Sequence, residues 1–544
     1  MRHPILVPLL SLLPSVSALT IPSLQFPLIS SSNNNQACPL PAKIHPEDDG
    51  LHPALNFVQD PRIRTQQVNR LSRAVQVPTT VSDYVTDPYD EAFAPFLTFH
   101  TLLEELFPIT HQKSTLTKLN RLALLYTLPG TNPSLKPLLF TAHQDVVPIV
   151  NASDWSHPPF AGHFDGTWLW GRGASDCKNV LIGLLSVIED LLAQDWTPTR
   201  TVILAFGFDE ESHGFLGAGH IAPYLEEVYG AGGVEFVLDE GGMGEKGSLD
   251  LTLTLTTRGG HSSIPPPHTG IGIIAEIIHT LETALPFTPV LDATHPARKK
   301  LQCQVAHSPV HVEDWLPAAL ADTDYAALAE RVAASRGEAV RFTLQTSQAA
   351  DLIHGGVKSN ALPETVFALV NYRVALHQTP EEVLERARGL IAPIVEKYDV
   401  GLVVVGDDGD EEGEEGEGGF GRLVLSTLAE PLRPAPVSPT HEESAVWMRF
   451  AGVTRDVFES VPSLKGKTVV VAGDIMTGNT DTRFYWNLSE NIYRWSPSRV
   501  GGALNIHTVD ERLAIDVHLE AMMLYYDLIR AFDGDHTVEP AHDL

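Results

Sequence analysis

The strongest constraint on this chain is a set of short, almost continuously apolar runs that alternate with helical segments between Phe93 and Glu240. "RLALLYTL", "PLLFTAH", "TVILAFGF" and "VEFVLDE" read as strands, and "FAPFLTFHTLLEELF" and "NVLIGLLSVIEDLLAQ" as helices. A strand that is apolar at nearly every position must be covered on both faces, so this alternation predicts an α/β domain with a mostly parallel sheet. After Gly247 the pattern changes. "LDLTLTLTTRG" alternates with period two, as for a strand with one wet face. A helix from Gly270 to Thr283, strands at "AVRFTLQTS" and "TVFALVNYRVAL", the helix "PEEVLERARGLIAPIVEKY" and the strand "GLVVVG" follow. That order is the split βαβ, ferredoxin-like one, and predicts an inserted α+β lid.

The predicted organisation is a signal peptide at 1–18, an N-terminal extension at 19–85 lying over the body, the α/β domain at 86–249 and 419–544, and the lid at 250–418. The signal is read from Arg2 and His3, the apolar stretch Ile5 to Leu13 and "SVSA" ending at Ala18. Its apolar stretch is shorter than the ~20 residues of a membrane span, so no stable span is expected and the destination is the secretory pathway, vacuole lumen or extracellular. Sequons at Asn151 and Asn487 fit that route. Cys38, Cys177 and Cys303 are an odd, widely spaced set, from which neither a disulfide framework nor a cysteine zinc site is expected. The run Asp407 to Gly418 lacks calcium-loop spacing and reads as a solvated acidic insertion in the lid. A net charge of −31 excludes nucleic acid and anionic membrane as partners.

Chemistry-bearing residues gather where strands should end: His143 and Asp145 after "LLFTA", Asp176 after "WGRGAS", Asp209, Glu210 and Glu211 after "AFGF", Asp239 and Glu240 after "VEFVL". Singly, a strand histidine is usually structural and an acidic pair usually caps a helix. Together they should converge in the crevice at the strand ends, where carboxylates would repel one another unless a divalent cation lay between them. Asp145 follows His143 by two residues, on the same strand face, so its carboxylate can fix the imidazole's tautomer. Glu210 and Glu211 are adjacent and should point apart.

"TAHQDVVP", "PPFAGHFDGTWLWGRGASDCKN", "FGFDEESHGFLGAGHI", "VLDEGG", "GGHSS", "TGNTDTRFYWNLSENIYRWSP" and "IHTVDERL" resemble the co-catalytic dizinc carboxypeptidase and aminoacylase family, and within it the carboxypeptidase S-like branch. The resemblance runs from about Pro88 to the C-terminus. It implies two zinc ions per subunit held by His143, Asp176, Glu211, Asp239 and His507, bridged by Asp176 and a hydroxide, with Glu240 the alternative to Asp239. It implies Glu210 as general base, Asp145 behind His143, and a cis peptide at Asp176-Cys177, making Cys177 a neighbour of the site and not a nucleophile. His261 would stabilise the oxyanion, often in the partner subunit of a lid-mediated homodimer. Asn360 and Arg373, or Arg483, would hold the substrate's terminal carboxylate, which a guanidinium binds bidentately. The expected activity is a zinc carboxypeptidase acting on short peptides. The alternatives are an N-acyl amino acid hydrolase or synthase, a dizinc aminopeptidase, and a non-catalytic binding protein with the same fold.

Overall fold

The computed structural model describes residues 38–46, 48–82, 85–242, 244–284, 287–405, 411–412 and 419–534. The signal peptide and most of the acidic run lie outside these residues. The α/β domain is built on a six-stranded sheet in the order Thr115–Leu119, Ala123–Leu128, Val202–Gly207, Leu138–His143, Phe236–Asp239, Ile492–Arg494. Alternate residues of the same strands enter two different cores. Leu138 and Phe140, with Leu204, Phe206 and Phe236, pack under the helices Pro61–Val75, Lys178–Ala193, Ala445–Ser460 and Ile515–Phe532. Leu139, Ile203, Ala205 and Val237 face the opposite side, toward the helix Ala218–Tyr229 and Phe93. This double coverage explains the continuous apolar runs.

The sheet is mixed, which corrects the mostly parallel expectation. Leu138–His143 is parallel to both its neighbours and Ile492–Arg494 is parallel to Phe236–Asp239, but Ala123–Leu128 runs antiparallel to both of its neighbours, Thr115–Leu119 and Val202–Gly207. Thr115–Leu119 and Ala123–Leu128 form a tight hairpin whose three-residue loop takes positive φ at Asn120 and Arg121 (40° and 72°), which reverses the chain at once instead of through a crossover helix. The N-terminal extension is also more regular than expected. Pro61–Val75 is a helix whose Leu71, Ala74 and Val75 belong to the main core.

The lid sheet orders Ser347–Gly355, Thr365–Val374, Gly247–Thr257, Gly421–Thr427, Val400–Val405 and Glu411–Glu412. Leu249, Leu251, Leu253 and Leu255 point to the helices Gly270–Thr283 and Pro380–Lys397, the latter opened by a Thr379/Glu382 capping box. Two expectations change here. "AVRFTL" lies in a helix, Glu338–Leu344, because Leu344 closes a satellite core with Leu301, Leu328 and Val332; the strand starts at Ser347. Gly421–Thr427 belongs to the lid, inserted between Gly247–Thr257 and Val400–Val405, so the sheet exceeds the four-stranded split βαβ order and the lid runs past 418.

Cys38 and Cys303 form a disulfide, against the expectation from their spacing. It joins the N-terminal segment to the lid helix Pro296–His307, while the same segment grips the body through Ile44 N donating to Gly452 O (3.1 Å) and His45 Nδ1 against Asp456 Oδ2 (2.8 Å). Among the described residues no helix is long and apolar enough to cross a membrane.

Candidate metal centre

His143 is the last residue of its strand and is buried. Its Nδ1 lies 3.0 Å from the Asp145 carbonyl oxygen and 3.3 Å from Asp145 Oδ1, while Asp145 Oδ2 accepts from Glu211 N (3.0 Å). Asp145 therefore ties two strand ends together as well as orienting the imidazole. His143 Nε2 faces Asp176 Oδ1 at 3.1 Å and Glu240 Oε1 at 2.9 Å. The other oxygen of Asp176 lies 3.0 Å from His507 Nε2, which also faces Glu211 Oε2 at 3.0 Å. One carboxylate thus stands between two imidazoles, one oxygen to each.

A second, four-stranded sheet delivers the two loops concerned. Trp168–Trp170 leads into "GRGASD" and pairs with Arg512–Ala514, whose hairpin partner Ala503–Leu504 precedes His507. Across the two loops reaches Glu511, which sequence reasoning did not single out. Its Oε1 accepts from Ser175 N (2.9 Å) and Asp176 N (3.3 Å), and its Oε2 takes Arg172 Nη1 at 2.5 Å. The only signal in the sequence was a charged pair in two motifs, "GRGAS" and "VDERL", far apart in the chain. The peptide Asp176-Cys177 is cis, and Cys177 is buried with its thiol pushed up by that burial.

Of the two residues that the resemblance offers, Glu240 faces His143 and Asp239 does not. Asp239 keeps its carboxyl among Thr141, Thr480 and Arg494, and the next residue along an extended chain points the other way, toward His143. Two sets of ligand atoms are each close enough to share an ion: His143, Asp176 and Glu211, and His143, Cys177 and Glu240. Together they suggest a binuclear metal site.

The electrostatics ask for positive charge. Burial, with Asp176 nearby, pushes Glu240 up to about 8, and burial raises Glu210 and Glu211 as well. Asp176 is largely buried too, yet the two facing imidazoles hold it well below the carboxylate range, and the Asp176 and Glu211 carboxylates in turn raise His507 to about 10. A divalent cation among these groups would supply that charge. Imidazole and carboxylate donors, with a thiol kept neutral, suit such an ion.

Two clefts meet at Glu210, Glu211 and His507. The first, of about 420 Å³, is polar and contains Arg373 and Arg483; Arg373 Nη1 donates to Asn479 Oδ1 (2.8 Å), and Arg483 lies over the Phe215 ring at 4.8 Å. Asp481 lines it as well, and a Cβ on Gly207 would come 2.5 Å from Asp481 Oδ2, so any side chain at this strand end would displace that carboxylate. The second cleft, of about 410 Å³, is more apolar, with Met476, Pro497, Ile506 and Leu513. His261 and Asn360 line neither. They sit on an exposed two-stranded ribbon, where His261 pairs with Ala361 and Ser262 N donates to Asn360 O (3.2 Å).

The sequence model of Peptidase family M20/M25/M40 matches residues 139–531, a span that holds every residue of this centre. Carboxypeptidase S of Saccharomyces cerevisiae is 39% identical over 505 residues, covering 88% of this chain and 86% of its own. An N-fatty-acyl-amino acid synthase/hydrolase of Bos taurus is 28% identical over 519 residues, covering 90% of this chain and 92% of its own. Among solved structures, an M20 family metallo-carboxypeptidase from Sulfolobus solfataricus has the same fold, with a TM-score of 0.57 at 18% identity over 86% of this chain and 99% of that one. With paired imidazoles and carboxylates at its strand ends and this breadth of similarity, the chain belongs to peptidase family M20/M25/M40.

Proposed function

We propose that the protein is a dizinc carboxypeptidase that removes the C-terminal residue of short peptides. The observation that carries this reading is Asp176, one oxygen toward His143 and the other toward His507. His143 and Glu240 would complete one metal position, and Glu211 and His507 the other. When bound, the two ions supply the charge that activates a shared water and polarises the scissile carbonyl. Glu210, next to Glu211 and raised by burial, accepts the water's proton and hands it to the leaving amine. Arg373 and Arg483, which line the same cleft as Glu210, give the substrate's terminal carboxylate its counter-charge. His261 and Asn360, exposed on the lid ribbon, serve the cleft of a second copy bound lid to lid.

The disulfide supports the secretory route read from residues 1–18, since such bonds persist in oxidising compartments, and Asn151 and Asn487 are both exposed. Glu210→Gln tests the mechanism. It should keep its zinc and lose about 10²- to 10⁴-fold in turnover of Gly-Leu-type peptides; near-normal turnover would remove Glu210 from the reaction. Peptides with a blocked amino terminus should still be cleaved, and a strict need for a free one would favour an aminopeptidase.

A further inference from the structure

We propose that the polar cleft at the metal centre selects peptides whose C-terminal residue carries a cationic side chain, lysine or arginine, and that Asp250 is the residue that reads this charge. The proposal deepens the reaction given above and rests on it. The strand Gly247–Thr257 sends Leu249 and Leu251 into the lid core, so Ser248 and Asp250 stand on its other face. In the neighbouring strand, Thr365–Val374, the core takes Val370, Tyr372 and Val374 and leaves Asn371 and Arg373 on that same face. Register sets Asn371 opposite Asp250 and Arg373 opposite Ser248, and all four line the cleft that contains Glu210. Asn371 Nδ2 donates to Asp250 Oδ1 (2.6 Å), which fixes the carboxylate on the cleft wall. Glu430 adds a second carboxylate beside it, because its loop is clasped to the Asp250 strand: Leu428 N donates to Asp250 O (2.9 Å), and Ser248 and Leu432 exchange both backbone hydrogen bonds (2.8 and 2.9 Å).

The charges in this cleft are kept apart. Among the described residues, neither arginine forms an ion pair with Asp250 or Glu430: Arg373 Nη1 donates to the Asn479 amide oxygen (2.8 Å), and Arg483 lies over the rings of Phe215 and Phe484 (4.8 and 5.0 Å). A ligand with one negative and one positive group therefore matches the cleft better than a singly charged one. The arginines fix the direction. Asn479, which Arg373 meets, also lines the cleft of Asp176 and Glu240, so Arg373 stands at the metal end. Asn371 and its partner Asp250 follow two residues along the strands, roughly 7 Å farther, about the reach of an extended lysine side chain. A peptide whose terminal carboxylate lies against Arg373 and Arg483 brings the side chain of that same residue to Asp250 and Glu430. Its amino terminus lies on the other side of the scissile amide, toward the cleft of Met476 and Pro497. Asp250 is half-buried, so its pull on a cation is screened less than that of a surface carboxylate.

The test uses the full-length zinc enzyme with Gly-Lys, Gly-norleucine and Gly-Glu, norleucine being lysine without its amine. Gly-Lys should exceed Gly-norleucine in kcat/KM by at least ~10-fold, the lower end for a hydrogen bond to a charged group, and Gly-Glu should be the poorest. Asp250→Asn keeps the acceptor for Asn371 and removes only the charge. It should bring the Lys-to-norleucine ratio to within about twofold of unity, Asp250→Glu should restore most of the preference, and Asp250→Lys should turn it toward Gly-Glu. Glu430→Gln, at an exposed position, should lower the ratio by about threefold, which gives a second readout should the Asp250 variants fold poorly. A wild-type ratio near unity, or one that neither Asp250→Asn nor Glu430→Gln changes, overturns the assignment. So does a loss in Asp250→Asn on Gly-norleucine that is absent on acetyl-Gly-norleucine, since Asp250 would then face the α-amino group. Binding is read separately by calorimetry in Glu210→Gln, where Gly-Lys should bind at least ~10-fold more tightly than Gly-norleucine. If that holds while the wild type turns over neither, the proposed reaction falls and the charge-reading wall stands; equal turnover of all three peptides removes the wall and leaves the reaction.

Discussion

His143 and His507 approach the same carboxylate, yet the fold holds them by different means. His143 is 1% exposed, the end of a core strand fixed from behind by Asp145. The His507 side chain is 51% exposed, on a hairpin loop at φ 60°, and its position depends on a small sheet and on the Glu511 carboxylate that laces the two loops together. One half of the centre is preorganised by hydrophobic packing and the other by polar contacts. Packing tolerates little repair, whereas a polar, half-open position can be refilled from solvent.

The largest effect should come from removing what the two halves share. Asp176→Asn should lose both metal equivalents by elemental analysis and, with them, activity; retention of one full equivalent would mean that the halves are independent. Next, His143→Ala and His507→Ala should both be inactive, but added imidazole should restore only His507→Ala, because only that position opens to solvent. Rescue of both would erase the distinction drawn here. Glu511→Gln should weaken metal binding by about 10- to 100-fold, the usual cost of losing a group that orients ligands, and should act more on the His507 side.

The smallest effect is on stability. Burial holds His518 and His100 in the body, and His295 in the lid, down to about 4. The unfolded chain, titrating near 6.5, binds these protons first, so stability is fully present above about 6.5 and is lost as pH falls toward 4. Each shift is worth roughly 3 kcal/mol. His518→Gln should therefore reduce the fall in Tm between pH 7 and pH 4.5; an unchanged fall would locate the acid sensitivity elsewhere.

Most of the body was legible in the sequence because each strand's covering is written in its own residues: Leu138 to His143 read as a strand and is one. The antiparallel edge was not, since the positive φ at Asn120 and Arg121 is a local turn choice that neither residue type forces. Among site residues, His143, Asp176, Glu211 and His507 come together, but that Glu240 and not Asp239 faces His143 depends on the direction of the chain past the strand end. Leu344 entered a helix despite an alternating pattern, because the satellite core that claims it is assembled from several short helices between Leu291 and Val332, whose mutual packing no single segment's pattern displays. Glu511 was hidden for a related reason, its partners Arg172 and Ser175 lying more than three hundred residues away.

The bond between Cys38 and Cys303 closes a covalent ring that takes in the N-terminal helix, the first half of the body and much of the lid. A single cut between those two cysteines would leave one molecule, its fragments still joined and still placing Arg172 beside Glu511. The nick would show only on a reducing gel, so the integrity of the molecule can be separated from an intact backbone.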